Sequence, residues 1–338
     1  MTPSKKIGVF GAGAWGITLA DLLARKGHEV VAWDFDSGVV QHLSSQRSPR
    51  KLPELRISDA LQMTSDFDAC ARHGEVLLCA VPSFAVRSLC ERLAPLAGGL
   101  EKRTLITVSK GIEEGSLKLP SQIIEEYFGS SAMERVAALS GPSHAEEVSR
   151  RIPTVVVSAS TNAATAEFVQ DLFMLPEFRV YTQHDMLGVE LGAALKNVIA
   201  IAAGGCDGLG FGDNTKAALV TRGLAEISRV GRAMGADPMT FSGLAGLGDL
   251  VVTAMSRHSR NRHFGELIAS GRTVEQALED VGQVVEGYRT CKSAHQLTSK
   301  LQVEAPLTNA VHEVLYGGAT LRQAVGDLLT RDPKSEIY

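Results

Sequence analysis

The chain has 338 residues, of which 44% are hydrophobic and 21% are charged, and its formal net charge is −4. This composition is typical of a folded globular protein with room for two domains, and it excludes an intrinsically disordered chain. The negative charge gives no electrostatic basis for binding nucleic acid or an anionic membrane surface, so we expect neither as a partner.

Five cysteines are scattered along the chain, and none of them forms a C-x-x-C pair. Their spacing argues against a disulfide framework and a zinc site, and it favours a reducing compartment. A predicted strand begins at Ile7, which leaves no room for a signal peptide, and no apolar run reaches the ~18 residues of a membrane span. We therefore expect a cytoplasmic protein with no bound metal and no stable membrane association.

A glycine-rich loop connects the first predicted strand to the first predicted helix. Gly11, Gly13 and Gly16 follow the strand at once, and Asp34 comes after the next strand. In this order, G-x-G-x-x-G followed by an acid is the dinucleotide-binding fingerprint. The three glycines permit a tight turn, close approach of the backbone to a pyrophosphate, and packing of helix on strand, while the helix N-terminus faces the phosphates. The alternative is a purely structural turn.

Asp34 also bears on which dinucleotide is bound. A carboxylate at this position accepts hydrogen bonds from the ribose hydroxyls of NAD and would repel the 2′-phosphate of NADP. Residues 34–37 contain no cation. We therefore predict a preference for NAD(H).

Apolar runs alternate with helical patterns through the first half of the chain, which predicts a parallel sheet with crossover helices. The run at residues 76–81 is apolar on both faces, as in a central parallel strand. The predicted strands are residues 7–10, 29–33, 76–81, 104–109, 136–139, 154–158 and 178–181.

Candidate ligand-binding residues follow three of these strands, at the sheet edge where ligands bind to parallel sheets. Phe84 either packs on the cofactor or simply fills its loop. Lys110 is placed to meet an anion, although an exposed loop lysine would give the same pattern. Gly141 and a capping Ser143 precede a predicted helix, whose free N–H groups suit a phosphate or a polarised oxygen.

Residues 188–204 are predicted to form a helix that is apolar or small nearly all the way round, which indicates a buried helix. Lys196 lies inside it, and none of its helical neighbours can pair with an ammonium group. Either the side chain extends out of a half-covered helix, or the lysine lies in a cleft with a pKa tuned for proton transfer.

Strand patterns end near residue 185, and the remaining sequence is helical. We predict two domains, a dinucleotide-binding domain at residues 1–187 and a helical substrate and catalytic domain at residues 188–338. No flexible linker separates them, so they are expected to share a fixed cleft with the lysine helix at the junction. Later helices are predicted from a cap at Asn214–Thr215 to Gly235 and over residues 261–269, 273–281, 288–301, 307–316 and 320–329.

Two polar clusters interrupt this helical half. Asp249 follows a glycine-rich bend, and it is either an acid presented among apolar residues or a helix N-cap. Residues 257–263 include Ser259, Arg260 and Asn261 at a predicted helix start. They form either a solvated basic face or a phosphate site.

Together these motifs resemble those of bacterial NAD(P)-dependent glycerol-3-phosphate dehydrogenases over nearly the whole chain. The resemblance implies a Rossmann domain followed by an all-helical domain of the 6-phosphogluconate dehydrogenase type, in a protein that is usually dimeric. It also implies reversible hydride transfer between a nicotinamide and C2 of dihydroxyacetone phosphate, yielding sn-glycerol 3-phosphate for phospholipid synthesis. The matching segments are residues 11–16, 109–111, 140–145, 195–200, 212–214, 246–250, 259–262 and 283–287.

The resemblance also implies roles for individual residues. It places the general acid/base at Lys196, and we expect Asp249 to pair with this lysine and orient it. Substrate contacts are implied for Lys110, Gly141, Ser143, Lys196, Asp249, Ser259, Arg260 and Asn261. Cofactor contacts are implied for Ala14, Trp15, Phe35, Lys110, Ala145, Arg260, Val284 and Glu286, in addition to Gly11, Gly13, Gly16, Asp34 and Phe84.

The sequence departs from the family pattern at one point that concerns the cofactor. Bacterial members commonly carry His or Arg just after the second strand, which suits NADPH, whereas this chain has Asp34-Phe35-Asp36. The NAD(H) preference therefore depends on Asp34, and NADP(H) use as in the family stays open. The alternative functions are a β-hydroxyacid dehydrogenase of the 6-phosphogluconate type and a non-catalytic NAD(H)-sensing module.

Overall fold

The first half of the chain forms one eight-stranded sheet with a hydrophobic core on each face. The structure is a computed structural model that describes residues 3–97, 100, 102–333 and 335–336. The strands are β1 Lys6–Phe10, β2 Glu29–Trp33, β3 Gln62–Thr64, β4 Val76–Cys79, β5 Thr104–Thr107, β6 Val136–Ser140, β7 Thr154–Ala159 and β8 Phe178–Gln183.

The strand order is β3-β2-β1-β4-β5-β6-β7-β8, and every neighbouring pair except β6–β7 is parallel. The order reverses between β1 and β4, so their carboxyl ends open onto a crevice where doubly wound sheets bind ligands. The predicted class, a Rossmann-type sheet followed by helices, is confirmed.

Two features of the sheet were not predicted. β3 has only three residues, Gln62–Thr64, without an apolar run that would mark a strand. β7 runs antiparallel to β6 because the connection between them holds only the four-residue helix Ala145–Val148. A parallel crossover normally requires a connection of a dozen or more residues that includes a full helix.

Helices cover the sheet, and after β8 the described residues form helices, turns and loops. Short 3₁₀ turns lie at Ser83–Ala85, Ser130–Arg135 and Pro238–Ser242, and a π-helical turn lies at Leu244–Gly248. The α-helices are α1 Ala14–Arg25, α2 Ser37–Gln46, α3 Phe67–His73, α4 Val86–Ala97, α5 Pro120–Phe128, α6 Ala145–Val148, α7 Ala163–Phe173, α8 Met186–Gly208, α9 Asp213–Met234, α10 Asp249–Met255, α11 Arg260–Ala269, α12 Val274–Val281, α13 Glu286–Lys300, α14 Pro306–Tyr316 and α15 Leu321–Leu329.

Most predicted helices are present, with small shifts at their ends. The predicted cap at Asn214–Thr215 is wrong, because α9 already begins at Asp213 and its N-cap is Gly212. β8 ends at Gln183 and α8 begins at Met186, so the change from sheet to helices lies next to the predicted boundary between residues 187 and 188. The division into two domains at that boundary stays a prediction.

Helix α8 is the central element of the helical half. Among the described residues it is the one helix long and apolar enough to span a membrane, with 23 residues and a mean hydropathy of 1.6. The sequence-based expectation that no such segment exists is therefore wrong. However, 89% of its most apolar window is buried inside the protein, as in the core helix of a globular fold.

Close backbone contact between α8 and α11 brings the basic cluster at residues 257–263 close to the helix that contains Lys196. A Cβ atom at Gly204 would overlap the backbone of Arg262, and one at Gly265 would overlap the carbonyl of Ile201. Glycine is required at both positions because any side chain would push the helices apart. This packing places the start of α11 beside the middle of α8, where Lys196 lies.

Candidate active site

The ammonium group of Lys196 meets a carboxylate in the interior of the protein. Lys196 Nζ donates to Asp249 Oδ1 at 2.9 Å, and Lys110 Nζ donates to Asp249 Oδ2 at 2.6 Å. Lys196 is 5% exposed and Asp249 is 1% exposed. The predicted pairing of Lys196 with Asp249 is confirmed, and a side chain that extends from α8 to solvent is excluded.

The surroundings of Lys196 and Asp249 shift the pKa values of both groups. Burial lowers the pKa of Lys196 to about 8, with the charge of Lys110 also lowering it and the Asp249 carboxylate opposing the change. Burial alone would raise the pKa of Asp249, but the two ammonium groups together hold it below its usual value. Lys196 therefore exchanges a proton near neutral pH, as a general acid or base requires, while Asp249 stays ionised.

Asp249 faces inward because of the turn that precedes it. The π-helical turn Leu244–Gly248 leads into α10, and Gly248 occupies the N-cap position. The alternative that Asp249 caps this helix is therefore wrong. A Cβ at Gly192 would lie 2.8 Å from the carbonyl oxygen of Ala245, so the turn approaches α8 closely enough for the carboxylate to reach Lys196.

Lys110 reaches the same carboxylate from the sheet. It follows β5, and its Nζ also donates to the carbonyl of Gly141 at 3.3 Å. Ser143 donates to that carbonyl at 3.0 Å and does not cap α6, whose N-cap is His144. The predicted capping role of Ser143 is therefore wrong. Ala145 is buried at the first position of α6.

In the basic cluster at residues 257–263, some side chains bind other parts of the protein and others are exposed to solvent. Ser259 caps the helix by accepting from Arg262 N, and Arg262 pairs with Asp207 and Glu266. Within the described residues, the exposed guanidinium of Arg260 has neither an ion pair nor a hydrogen bond. Its charge nevertheless contributes to lowering the pKa of Lys196. Arg260 is thus a cation of this cluster that is available to an anionic ligand and whose charge acts on Lys196.

Asn261 connects the start of α11 to two other helices. Its Nδ2 donates to Asn197 Oδ1 at 3.0 Å, and its Oδ1 accepts from Gly287 N at 2.9 Å. One amide hydrogen of Asn261 is still available for a ligand. This bridge holds Asn197, the neighbour of Lys196, against α11 and the first turn of α13.

The glycine-rich loop has the shape that a dinucleotide requires. Gly11 has a φ of +106°, and a Cβ there would lie 2.7 Å from the carbonyl oxygen of Ala80. A Cβ at Gly16 would overlap the backbone of Gly11, whereas one at Gly13 would meet no atom of the described residues within 4 Å. Gly13 therefore borders open space at the N-terminus of α1, which has no side-chain cap and continues into Ala14 and Trp15. These residues fit a pyrophosphate.

Asp34 is already bonded to this loop. Its Oδ2 accepts from Ala12 N at 2.9 Å and its Oδ1 accepts from Asp36 N at 3.1 Å, with 8% of the residue exposed. Because a carboxylate oxygen has two acceptor sites, Asp34 retains capacity for ribose hydroxyls. The next residue, Phe35, is 83% exposed and free to pack on a ligand.

The remaining predicted cofactor residues lie where the sheet meets α13. Phe84 is about half exposed, and the guanidinium of Arg289 lies 4.6 Å from its ring centre. Val284 is partly buried just before α13. Both carboxylate oxygens of Glu286 accept a hydrogen bond from Ser83, and the cofactor contact of Glu286 stays a prediction.

Sequence reasoning missed Thr253, Ser83 and His144. Thr253 accepts from Lys196 Nζ and donates to the Asp249 carbonyl at 2.6 Å. Its position four residues after Asp249 on α10 was an available signal. Burial and the charge of Lys196 lower the pKa of His144 to about 4, so this imidazole is neutral beside the lysine.

The fold and the site together define an NAD(P)-dependent dehydrogenase with a Rossmann sheet and an all-helical C-terminal half. Residues 6–166 match the family model for the N-terminus of NAD-dependent glycerol-3-phosphate dehydrogenase, and residues 185–326 match the model for its C-terminus. The chain belongs to this family. The family recognised from the sequence is thereby confirmed, and the 6-phosphogluconate-type alternative is not favoured.

Relatives support the same assignment along the whole chain. The glycerol-3-phosphate dehydrogenase [NAD(P)+] of Thermoanaerobacter sp. is 46% identical over 333 residues, covering 98% of this chain and 99% of that protein. The enzyme of that name from Pelotomaculum thermopropionicum is 48% identical over 335 residues, covering 99% and 95%. A crystal structure of glycerol-3-phosphate dehydrogenase from Coxiella burnetii has a TM-score of 0.92 at 37% identity and covers 97% of this chain and 99% of that one.

Proposed function

We propose that this protein catalyses the reversible, NAD(P)-dependent interconversion of dihydroxyacetone phosphate and sn-glycerol 3-phosphate. The observation that carries the proposal is the buried Lys196–Asp249–Lys110 cluster. The charge of Arg260, which has no ion pair among the described residues, acts on Lys196. A proton donor, a second cation and a phosphate-binding group are thereby assembled for one small anionic ketone.

Lys196, Lys110 and Asp249 each have a separate role in the proposed reaction. In the reduction, protonated Lys196 donates its proton to the carbonyl oxygen, a role typically worth about 10²–10⁴-fold in rate. Lys110 stabilises the negative charge that develops on the same oxygen, and Asp249 holds both ammonium groups in place. When bound, the nicotinamide supplies hydride to C2 in this direction and accepts it in the other. In the oxidation, neutral Lys196 takes the proton from the C2 hydroxyl.

Binding and orientation depend on the start of α11 and the glycine-rich loop. Arg260 and the free N–H of Asn261 hold the phosphate, which fixes C2 relative to Lys196, and positioning of this kind supplies several kcal/mol. Gly11, Gly13 and Gly16 hold the pyrophosphate at the N-terminus of α1. In this proposal Trp15, Phe35, Phe84 and Ala145 contact the cofactor, and Asp34 binds the ribose.

We also propose that the protein is a cytoplasmic homodimer that supplies glycerol 3-phosphate for phospholipid synthesis. All five cysteines are buried and free, which agrees with a reducing compartment. The family resemblance supports the dimer and the role in lipid metabolism.

An initial-rate assay of dihydroxyacetone phosphate reduction with NADH and NADPH tests substrate and cofactor together. We expect turnover with a higher kcat/KM for NADH, because the Asp34 carboxylate would repel a 2′-phosphate by about 1 kcal/mol or more. Absence of turnover with either cofactor would contradict the proposed function.

The control for the cofactor preference is Asp36→Asn. This change removes a neighbouring charge but keeps the side-chain oxygen that caps α2 at Gly38. We expect it to preserve the ranking of the two cofactors. A higher kcat/KM with NADPH in the wild-type protein would refute the role given to Asp34.

Arg260→Ala should raise the KM for dihydroxyacetone phosphate by about 10–100-fold with a smaller change in kcat, because a charge-assisted hydrogen bond to the phosphate is lost. The matched control is Arg257→Ala, since Arg257 is also exposed and lies in the same cluster. Steady-state kinetics should show a normal KM for that variant. An unchanged KM in Arg260→Ala would show that Arg260 does not bind the phosphate and that this cluster is a solvated basic face.

A further inference from the structure

The 3₁₀ turn after β4 is hydrogen-bonded to the first turn of α13, although the two segments are 203 residues apart. Ser83 N donates to Glu286 Oε1 at 3.0 Å, and Ser83 Oγ donates to Glu286 Oε2 at 2.6 Å. Ser83 is 5% exposed. One serine of the sheet half therefore satisfies both oxygens of a carboxylate in the helical half.

The same serine packs against the loop that carries Lys110. A Cβ atom at Gly111 would lie 2.6 Å from Ser83 Cβ and 3.3 Å from Glu286 Oε2, so no side chain fits between them. Gly111 is the residue directly after Lys110 in the chain. The backbone next to Lys110 is thus in contact with both members of the Ser83–Glu286 pair.

The residues that follow Gly111 in this loop are also held in place. Arg87 donates to both carboxylate oxygens of Glu113, at 2.8 and 2.7 Å. Ile112 is 2% exposed and belongs to the hydrophobic core that contains Leu191 and Leu195 of α8. With the loop held beyond Gly111, the contact with Ser83 determines where the preceding residue, Lys110, can lie.

We infer that Ser83 is a positioning residue: by bonding Glu286 and packing against Gly111, it holds Lys110 at the distance from which its ammonium group reaches Asp249. Nothing in the family resemblance assigned a role to Ser83. The inference depends on the proposed function only in its kinetic consequence. The placement of the loop follows from the contacts themselves.

Ser83→Ala removes the hydroxyl while keeping the backbone bond and the Cβ contact. We expect kcat for dihydroxyacetone phosphate reduction to fall by about tenfold, as for the loss of a hydrogen bond to a charged group, with a smaller change in substrate KM. The matched control is Ser88→Ala, because among the described residues the exposed Ser88 hydroxyl bonds only Ala85 O in its own turn. That variant should retain wild-type kinetics.

A double-mutant cycle separates positioning from general structural support. If Ser83 acts through Lys110, Ser83→Ala should have no further effect on kcat in a Lys110→Met background. The same tenfold loss in both backgrounds would overturn the inference, even if the wild-type enzyme has the proposed activity.

Hydrogen exchange provides a test that does not require activity. We expect backbone amides of residues 110–119 to exchange at least about fivefold faster in Ser83→Ala than in the wild type or Ser88→Ala, because local opening becomes easier. Unchanged exchange in this loop would refute the positioning role. Failure of the wild-type protein to reduce dihydroxyacetone phosphate would refute the proposed function and leave this measurement to decide the role of Ser83.

Discussion

Lys196→Met should lower kcat for dihydroxyacetone phosphate reduction by at least about 10²–10⁴-fold, because the proton donor is lost while the buried volume is nearly kept. NADH binding, followed by its fluorescence, should stay within about twofold, since the glycine-rich loop lies on the sheet. The matched control is Lys216→Met, because Lys216 forms an ion pair with Asp207 in the helical half. A kcat of Lys196→Met near the wild-type value would show that Lys196 is not the general acid/base.

The pH dependence of the wild-type enzyme tests the same assignment without a mutation. Lys196 has a pKa of about 8, and the reduction requires its protonated form. The rate of reduction should therefore fall as the pH rises through about 8. The oxidation requires the neutral amine, so its rate should rise over the same interval. If the rates of reduction and oxidation changed in the same direction with pH, Lys196 could not be the single acid/base group of both reactions.

Asp249→Asn should have the second-largest effect, because it removes the negative charge between two ammonium groups. The two cations would then face each other in a buried site, and breaking such a network costs about 3–5 kcal/mol in the free energy of unfolding. The carboxylate also opposes the lowering of the Lys196 pKa, so its loss should lower that pKa further. Reduction should then decline at a lower pH than in the wild type.

Urea unfolding and the pH profile of kcat together measure both consequences. The matched control is Asp207→Asn, because Asp207 also lies between two cations, Lys216 and Arg262, but belongs to the α8–α9–α11 packing. We expect that variant to lose stability while its pH profile stays unchanged. If Asp249→Asn leaves the pH profile in place, Asp249 does not tune Lys196.

Local patterns in the sequence were sufficient for the fold class and for the cofactor loop. Strand and helix periodicities depend on neighbouring residues, and the backbone requirements of Gly11, Gly13 and Gly16 lie within one turn. Patterning also indicated that the helix around Lys196 is buried, because it is apolar nearly all the way round, but it left open whether the lysine side chain reaches solvent. Family membership followed from several such motifs in the correct order.

Pairing of polar groups over long distances does not follow from local patterns: the Lys196–Asp249 pair was expected, but the bond from Lys110 to the same carboxylate was not. Lys196 and Asp249 are 53 residues apart, and Lys110 and Asp249 are 139 apart. Their contact depends on how closely α8 approaches the turn at Leu244–Gly248. The sequence alone also left Asp249 as a possible helix cap, and it grouped Arg260 with Arg262 although their environments differ.

The sequence by itself determined which groups this protein has available: a dinucleotide loop, a lysine within an apolar helix, an acid after a glycine-rich bend and a basic helix start. Only the tertiary structure decided which of them meet. Arg262 is bound to two carboxylates, whereas Arg260 has no ion pair within the part of the chain that the structure describes, and Ser83 is bonded to Glu286 beside Lys110. The physical reason is that periodicity reports whether a side chain is buried, whereas the partner of a buried charge depends on the packing of distant elements.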